Sequence, residues 1–216
     1  MLDSSNIEAK SPEKEEKIHK MHGIILSGKE LSEGKINLPE DSQERLAKIK
    51  NKEAFFDTVK NNLQTLKREK KLKVIISTKL KDFPEDKNFK SKFKYMYSWD
   101  EIKEKIQKGK KIYFSLILKE SMVIGWGYAI FLYKKWDIKI IDVDLASRRM
   151  SGIYKEFSIN GEEFQVGVGH LIVYDLIKKL RGAIITDANN GNSQYIFKSL
   201  GFIPYANNPC LLKLER

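Results

Sequence analysis

A chain of 216 residues, with 41% hydrophobic and 32% charged residues and only five prolines, can build one sizeable core plus an appendage, which excludes wholesale disorder. Forty Lys and Arg against 29 Asp and Glu leave a net charge of +11, a balance that favours anionic partners. Cys210 is the only cysteine, so no intrachain disulfide forms and the chain suits a reducing, cytoplasmic compartment; one cysteine and three dispersed histidines make no metal-ligand spacing.

Residues 1–40 alternate charges with Ser, Gly and Pro and read as a loosely ordered arm without the apolar centre of a signal peptide. From 41 to 73, Leu46, Ile49, Phe55, Phe56, Val59, Leu63 and Leu66 recur at three- and four-residue spacings. This predicts an amphipathic helix or helix pair, a helical extension ahead of a main domain over 74–216. A strand over 74–78 and a Lys-rich loop holding Pro84 follow. Ser98 and Glu101 form a capping-box pattern that starts a short helix, and Gly109 stops it.

Strands are predicted over 111–119, 123–133 and 137–145, joined by short polar turns as in an antiparallel meander. The apolar stretch 112–133 has the length of a membrane span, but Lys119 and Glu120 at its centre mark it as two strands and a turn. A second hairpin spans 152–159 and 162–166 and turns at Asn160-Gly161, a dipeptide suited to a type I′ turn. Then come a helix over 171–180, a strand over 183–186, a helix over 192–200 stopped by Gly201, and a strand over 210–214.

The carboxy-terminal half, about 111–216, resembles the GNAT N-acetyltransferase superfamily. The resemblance is most specific over 187–202, where Asn190, Ser193, Phe197, Gly201 and Phe202 take the positions of the family's closing pattern. A second stretch, Gln165-Val166-Gly167-Val168-Gly169-His170, directly precedes a helix. Two glycines there let backbone approach a diphosphate, and the unpaired first-turn amides and the helix dipole attract it.

The resemblance implies an α/β (α+β) fold with a mixed, centrally antiparallel sheet flanked by helices. It also implies acetyl-CoA or another acyl-CoA as co-substrate, its pyrophosphate held by Gly167, Val168, Gly169 and His170, with Leu145, Gln165, Asn190, Ser193 and Phe197 beside it. The family's Arg or Gln three residues before the first glycine is here Phe164, with Gln165 one place late. About twenty residues separate the third meander strand from this turn. Either 140–145 is the fourth strand and 146–164 an insert, or the hairpin strand over 162–166 borders the cofactor; Arg148–Gly152 is a further candidate for the phosphates.

Acyl transfer to an amine needs the amine neutral, the carbonyl polarised, and often an acid for the departing thiolate. Asp142 and Asp144 alternate with apolar residues on the third meander strand, so both project from one face, where either can deprotonate an amine or simply solvate the sheet. The family's frequent general acid, a tyrosine four residues before the Gly of Gly-Phe, is Phe197 here; Tyr195 is close in sequence but about 200° away around a helix. His170 either binds phosphate, acts as a base, or packs.

The resemblance implies an acyl-CoA-dependent N-acyltransferase with an unidentified amine acceptor, protein or small molecule. The alternatives are a GNAT-like binding module that docks a protein partner or second copy through 41–73, and a nucleic-acid-binding protein using the Lys-rich segments 67–73 and 87–94 with Tyr95, Tyr97 and Trp99.

Overall fold

The computed structural model describes residues 39–82, 104–132, 134–143, 153–189 and 191–215, with backbone alone for 39–43, 80 and 139–143. Residues 39–216 form one compact unit. In chain order its elements are α1 (Pro39–Lys48), α2 (Lys52–Glu69), β1 (Leu72–Ser77), β2 (Ile112–Lys119), β3 (Met122–Leu132) and β4 (Lys135–Val143). These are followed by β5 (Tyr154–Ile159), β6 (Glu162–Gly167), α3 (Val168–Lys179), β7 (Ile184–Asp187), α4 (Gly191–Ser199), β8 (Ile203–Tyr205) and β9 (Asn208–Leu214).

Seven strands form one sheet in the order β1-β2-β3-β4-β7-β9-β8, and β5 and β6 form a separate two-stranded sheet. All main-sheet neighbours are antiparallel except β4 and β7, which run parallel. That order and its single parallel step make a mixed, centrally antiparallel α/β fold. The meander follows from sequence: β2 and β3 are rich in β-branched and aromatic residues and are joined by a tight turn in which Glu120 takes φ 57°.

Strand β2 is buried over most of its length because the sheet is covered on both faces. On one face Ile112, Phe114, Leu116, Trp126, Tyr128 and Ile130 pack together. On the other, α2 and α3 supply Val59, Leu63, Leu66, Ile172, Val173 and Leu176, all fully buried. Each side chain of that size removed from water stabilises the fold by about 1.5–3 kcal/mol. Helix α2 therefore shares the main core, and its start is fixed by Asn51, whose Oδ1 accepts from the Ala54 N–H at 3.0 Å.

The predicted helix pair resolves into α1 and α2, separated at Ile49–Asn51. Helix α3 begins at Val168, three residues before the expected 171, so Gly169 lies inside its first turn. Strand β8 is not among the elements the sequence predicts, and β9 begins two residues before the expected 210. Asn160 and Gly161 turn the β5–β6 hairpin at φ 54° and 80°, the two positive values a type I′ turn requires. Residues 104–107 are helical; 98–103 of the expected capping-box helix lie outside the described residues.

Candidate functional site

Parallel pairing of β4 with β7 covers only Trp136↔Ile184 and Asp137↔Ile185. One residue further on, the Thr186 hydroxyl donates to the Ile138 carbonyl at 2.8 Å in place of a ladder bond. The strands then part: Ala188 N–H donates to the Cys210 carbonyl at 2.7 Å, turning the chain toward β9 while β4 runs on to Val143. The sheet thus opens where its one parallel step ends, and such openings in mixed sheets are where ligands commonly enter.

Beyond the parting, β4 carries a bulge: Trp126 pairs with Ile141 and Gly125 with Val143, so Asp142 has no register partner on β3. A bulge re-aims its extra residue and takes its amide off the ladder. The amide of Asp142 is therefore displaced from the β3 ladder on a strand that has already left β7. The backbone places Asp142 there; its side chain is outside the described residues, as are Asp144, Leu145, Asn190 and Arg148–Gly152.

Helix α3 aims its amino terminus at the same end of the sheet. Its carboxy terminus is tied to the start of β4, where Trp136 Nε1 donates to the Arg181 carbonyl at 3.0 Å and Trp136 N–H to the Ala183 carbonyl at 3.0 Å. Twelve residues rise about 18 Å. Val168 is thereby set toward the end of β4 where the strands part. Strand β6 runs straight into the helix through Gly167, whose backbone is extended at φ −148°. A Cβ on Gly167 would meet only the Ile153 carbonyl oxygen at 3.5 Å and Tyr154 Cβ at 3.9 Å, ordinary contacts, so its own packing does not demand glycine.

Two side chains hold this entry. His170 Nδ1 accepts from the Gly167 N–H at 3.2 Å, half of a capping box, and the imidazole is buried. Tyr195 of α4 donates its hydroxyl to the Gln165 carbonyl at 2.8 Å and accepts from the Gln165 N–H at 3.1 Å, standing in for the next strand of a ladder. Burial pushes the Tyr195 hydroxyl up to about 12, the Gln165 backbone partly opposing it. The His170 and Tyr195 rings meet edge to face at 5.4 Å.

Phe197 is buried, and the helix end explains its position. Gly201, at φ 90°, donates its N–H to the Lys198 carbonyl, and Phe202 N–H donates to the Phe197 carbonyl, the paired bonds of a Schellman motif. The hydrophobic contact that completes such a motif is Phe197 against Phe202, ring centroids 5.0 Å apart and edge to face. The Gly-Phe dipeptide is thus a helix stop, with Phe197 pinned beneath it. Ser193 lies half-buried in α4.

The β5–β6 hairpin that delivers Gly167 is braced by the first two helices. Phe55 of α2 packs on Phe164 at 5.0 Å and Phe157 at 6.3 Å. Arg45 Nη1 donates to the Glu163 carbonyl at 2.9 Å, Lys48 pairs with Glu162 at 2.9 Å, and Lys155 pairs with Glu69 at 3.1 Å. Periodicity marked Phe55 as core, but no sequence signal linked it to residues a hundred positions away.

Comparison with known proteins gives likeness of structure only. No protein-family model matches the chain, and no curated protein matches it. Among solved structures, the Campylobacter jejuni N-acetyltransferase PseH is similar at 12% identity and TM-score 0.42, over 67% of this chain and 98% of that one. The same enzyme in complex with acetyl coenzyme A gives 12% and 0.41, over 67% and 99%. A putative GNAT-family acetyltransferase from Desulfovibrio desulfuricans gives 10% and 0.44, over 67% and 98%. Among the described residues no helix is long and apolar enough to cross a membrane.

Proposed function

We propose that this chain is an acyl-CoA-dependent N-acyltransferase, using acetyl-CoA or a related thioester. The reading rests on one observation, the opening between β4 and β7 with the amino terminus of α3 directed to the same end. Extended thioester lies along the parted edge of β4. Its pyrophosphate meets the first-turn amides of Val168, Gly169 and His170, which sit at the positive end of the helix.

The amine nitrogen attacks the thioester carbonyl carbon and forms the C–N bond. The carbonyl oxygen gains negative charge, and the displaced amide at the β4 bulge is the donor for it. As the tetrahedral species collapses, the C–S bond breaks, CoA leaves as the thiolate, and the proton lost by the amine goes to Asp142 or Asp144, directly or through water. Phe197 has no proton to give, and the Tyr195 hydroxyl is committed to Gln165, so the thiolate leaves without an enzymic acid. Tyr195, through Gln165, and His170, through Gly167, act as positioning residues for the cofactor turn, and the resemblance adds Asn190 and Ser193 as cofactor-binding residues.

Calorimetric titration of the full chain with acetyl-CoA and with the non-transferring desulfo-CoA tests the cofactor, and mass-spectrometric screening of an amine panel with acetyl-CoA tests transfer. Micromolar binding of both, with acyl product from the thioester alone, is the expected result. Binding without product across amines and proteins favours instead a CoA-binding module, the second reading that buried Phe197 supports. No binding by the folded chain overturns both.

A further inference from the structure

The far end of the main sheet, where β2 and β4 begin and β3 and α3 end, concentrates positive charge. Lys110, Lys111, Lys134, Lys178, Lys179 and Arg181 are all exposed there. Lys111 and Arg181 are brought together because the Phe131 N–H donates to the Lys111 carbonyl, Phe131 pairs with Trp136, and Trp136 is bonded to the Arg181 and Ala183 carbonyls; Lys110, Lys134 and Lys179 adjoin them along the chain, while Lys178 sets its ammonium over Tyr174 at 5.3 Å. Glu104 is taken by Lys108 and Glu215 by Lys213, and the Asp175 carboxyl lies within reach of the charges of Lys178 and Lys179.

Aromatic rings are set among these cations. Phe131 is 40% exposed and packs on Trp136 at 5.0 Å, which packs on Tyr113 at 5.4 Å. The Lys111 ammonium lies 5.6 Å from the Trp136 ring and 5.9 Å from that of Tyr113. The length of α3 puts this surface about 18 Å from the first-turn amides of Val168 and Gly169. Its ligand is therefore different from the proposed thioester.

We propose that this surface binds single-stranded nucleic acid, lysines and Arg181 tracking phosphates while a base stacks on the exposed face of Phe131. Ring stacking beside cations is the recurring solution for unpaired strands. An anionic bilayer would call for several apolar side chains to insert together, whereas among the described residues of β2, β3, β4 and α3 at this end Phe131 is the one exposed large apolar side chain, and exposed Ile203 lies three strands away on β8. The sequence alone points instead to 67–73 and to 87–94 with Tyr95, Tyr97 and Trp99; 87–94 and those aromatics lie outside the described residues.

Fluorescence anisotropy with labelled 20-nucleotide single-stranded RNA and DNA, the matching duplex, and phosphatidylserine vesicles tests this on the full chain. Single strands bind more tightly than duplex, with log K falling against log salt by about 0.7 per phosphate contact. Lys110→Glu with Lys179→Glu lowers that slope by about 1.4. Phe131→Ala weakens single-strand binding about five- to hundredfold, the equivalent of one lost stacking contact, and leaves the slope unchanged. Lys52→Glu with Lys60→Glu makes the same change of net charge on α2 and leaves binding at this surface intact. The circular-dichroism melt is the control for folding in every variant. Equal losses from both charge pairs, no dependence on Phe131, preference for vesicles, or no binding at all would each overturn the proposal.

Discussion

Replacing Tyr195 by Phe removes one oxygen and leaves the ring packed against His170, so the variant isolates the clasp on β6. Two hydrogen bonds to the Gln165 backbone disappear, at 2.8 and 3.1 Å. Each is worth about 1 kcal/mol net, and stranding a carbonyl and an amide that are only partly exposed adds to that, giving about 2–3 kcal/mol in all. For a unit of this size 1 kcal/mol moves the melting point by about 2–4 °C, so the variant should melt about 4–12 °C below wild type. Circular-dichroism melts and urea titrations measure it directly. Since the clasp holds the strand that enters α3, acetyl-CoA binding should also weaken at a temperature where both proteins are fully folded. A melting point within 2 °C of wild type would refute the clasp and require another tether for Gln165.

The same hydroxyl predicts a basic limb. Its folded value near 12 exceeds the ordinary 10.0, so the unfolded chain ionises first and stability falls by up to about 1.4 kcal/mol per pH unit between pH 10 and about 12. Urea midpoints should therefore drop more steeply across that window in wild type than in Tyr195→Phe, and parallel curves would contradict the assignment. Burial raises the Asp175 carboxyl above its usual range, with Lys67, Lys178 and Lys179 partly opposing, and its Oδ2 is buried without a hydrogen bond. The stability this group contributes is present below the ordinary carboxylate range and lost as pH rises through the folded value. Asp175→Asn should thus raise the urea midpoint at pH 7 and lose that advantage by pH 3; equal midpoints at both pH values would count against it. Phe197→Tyr should not create a general acid, because the ring is pinned by Phe202 and a new buried hydroxyl lacks a partner. A loss of about 1–3 kcal/mol and no gain in transfer rate are expected, and a faster rate would mean the ring reaches the cofactor.

Elements with local causes were legible in the sequence. The meander showed in its β-branched runs, the second hairpin in Asn160-Gly161, and the end of α4 in Gly201, whose φ of 90° follows from the Schellman stop. Gly169 masked the true start of α3, because glycine argues against helix while capping by His170 favours it. Strand β8 was hidden by Pro204 and by its length of three residues; its pairing with β9 decides it. Of the proposed site only the Gly167 and Gly169 motif was legible, because the Tyr195 bonds to Gln165, the Thr186 tie between β4 and β7, and the bulge at Asp142 all depend on partners distant in sequence.

Amide hydrogen exchange with and without saturating acetyl-CoA tests the central claim most directly. Binding at the amino terminus of α3 predicts slowed exchange in peptides covering 167–171 and along 139–143, with the basic surface at Lys111 and Arg181 unchanged. Binding that leaves 167–171 unprotected would contradict the proposed site, whatever activity the chain shows.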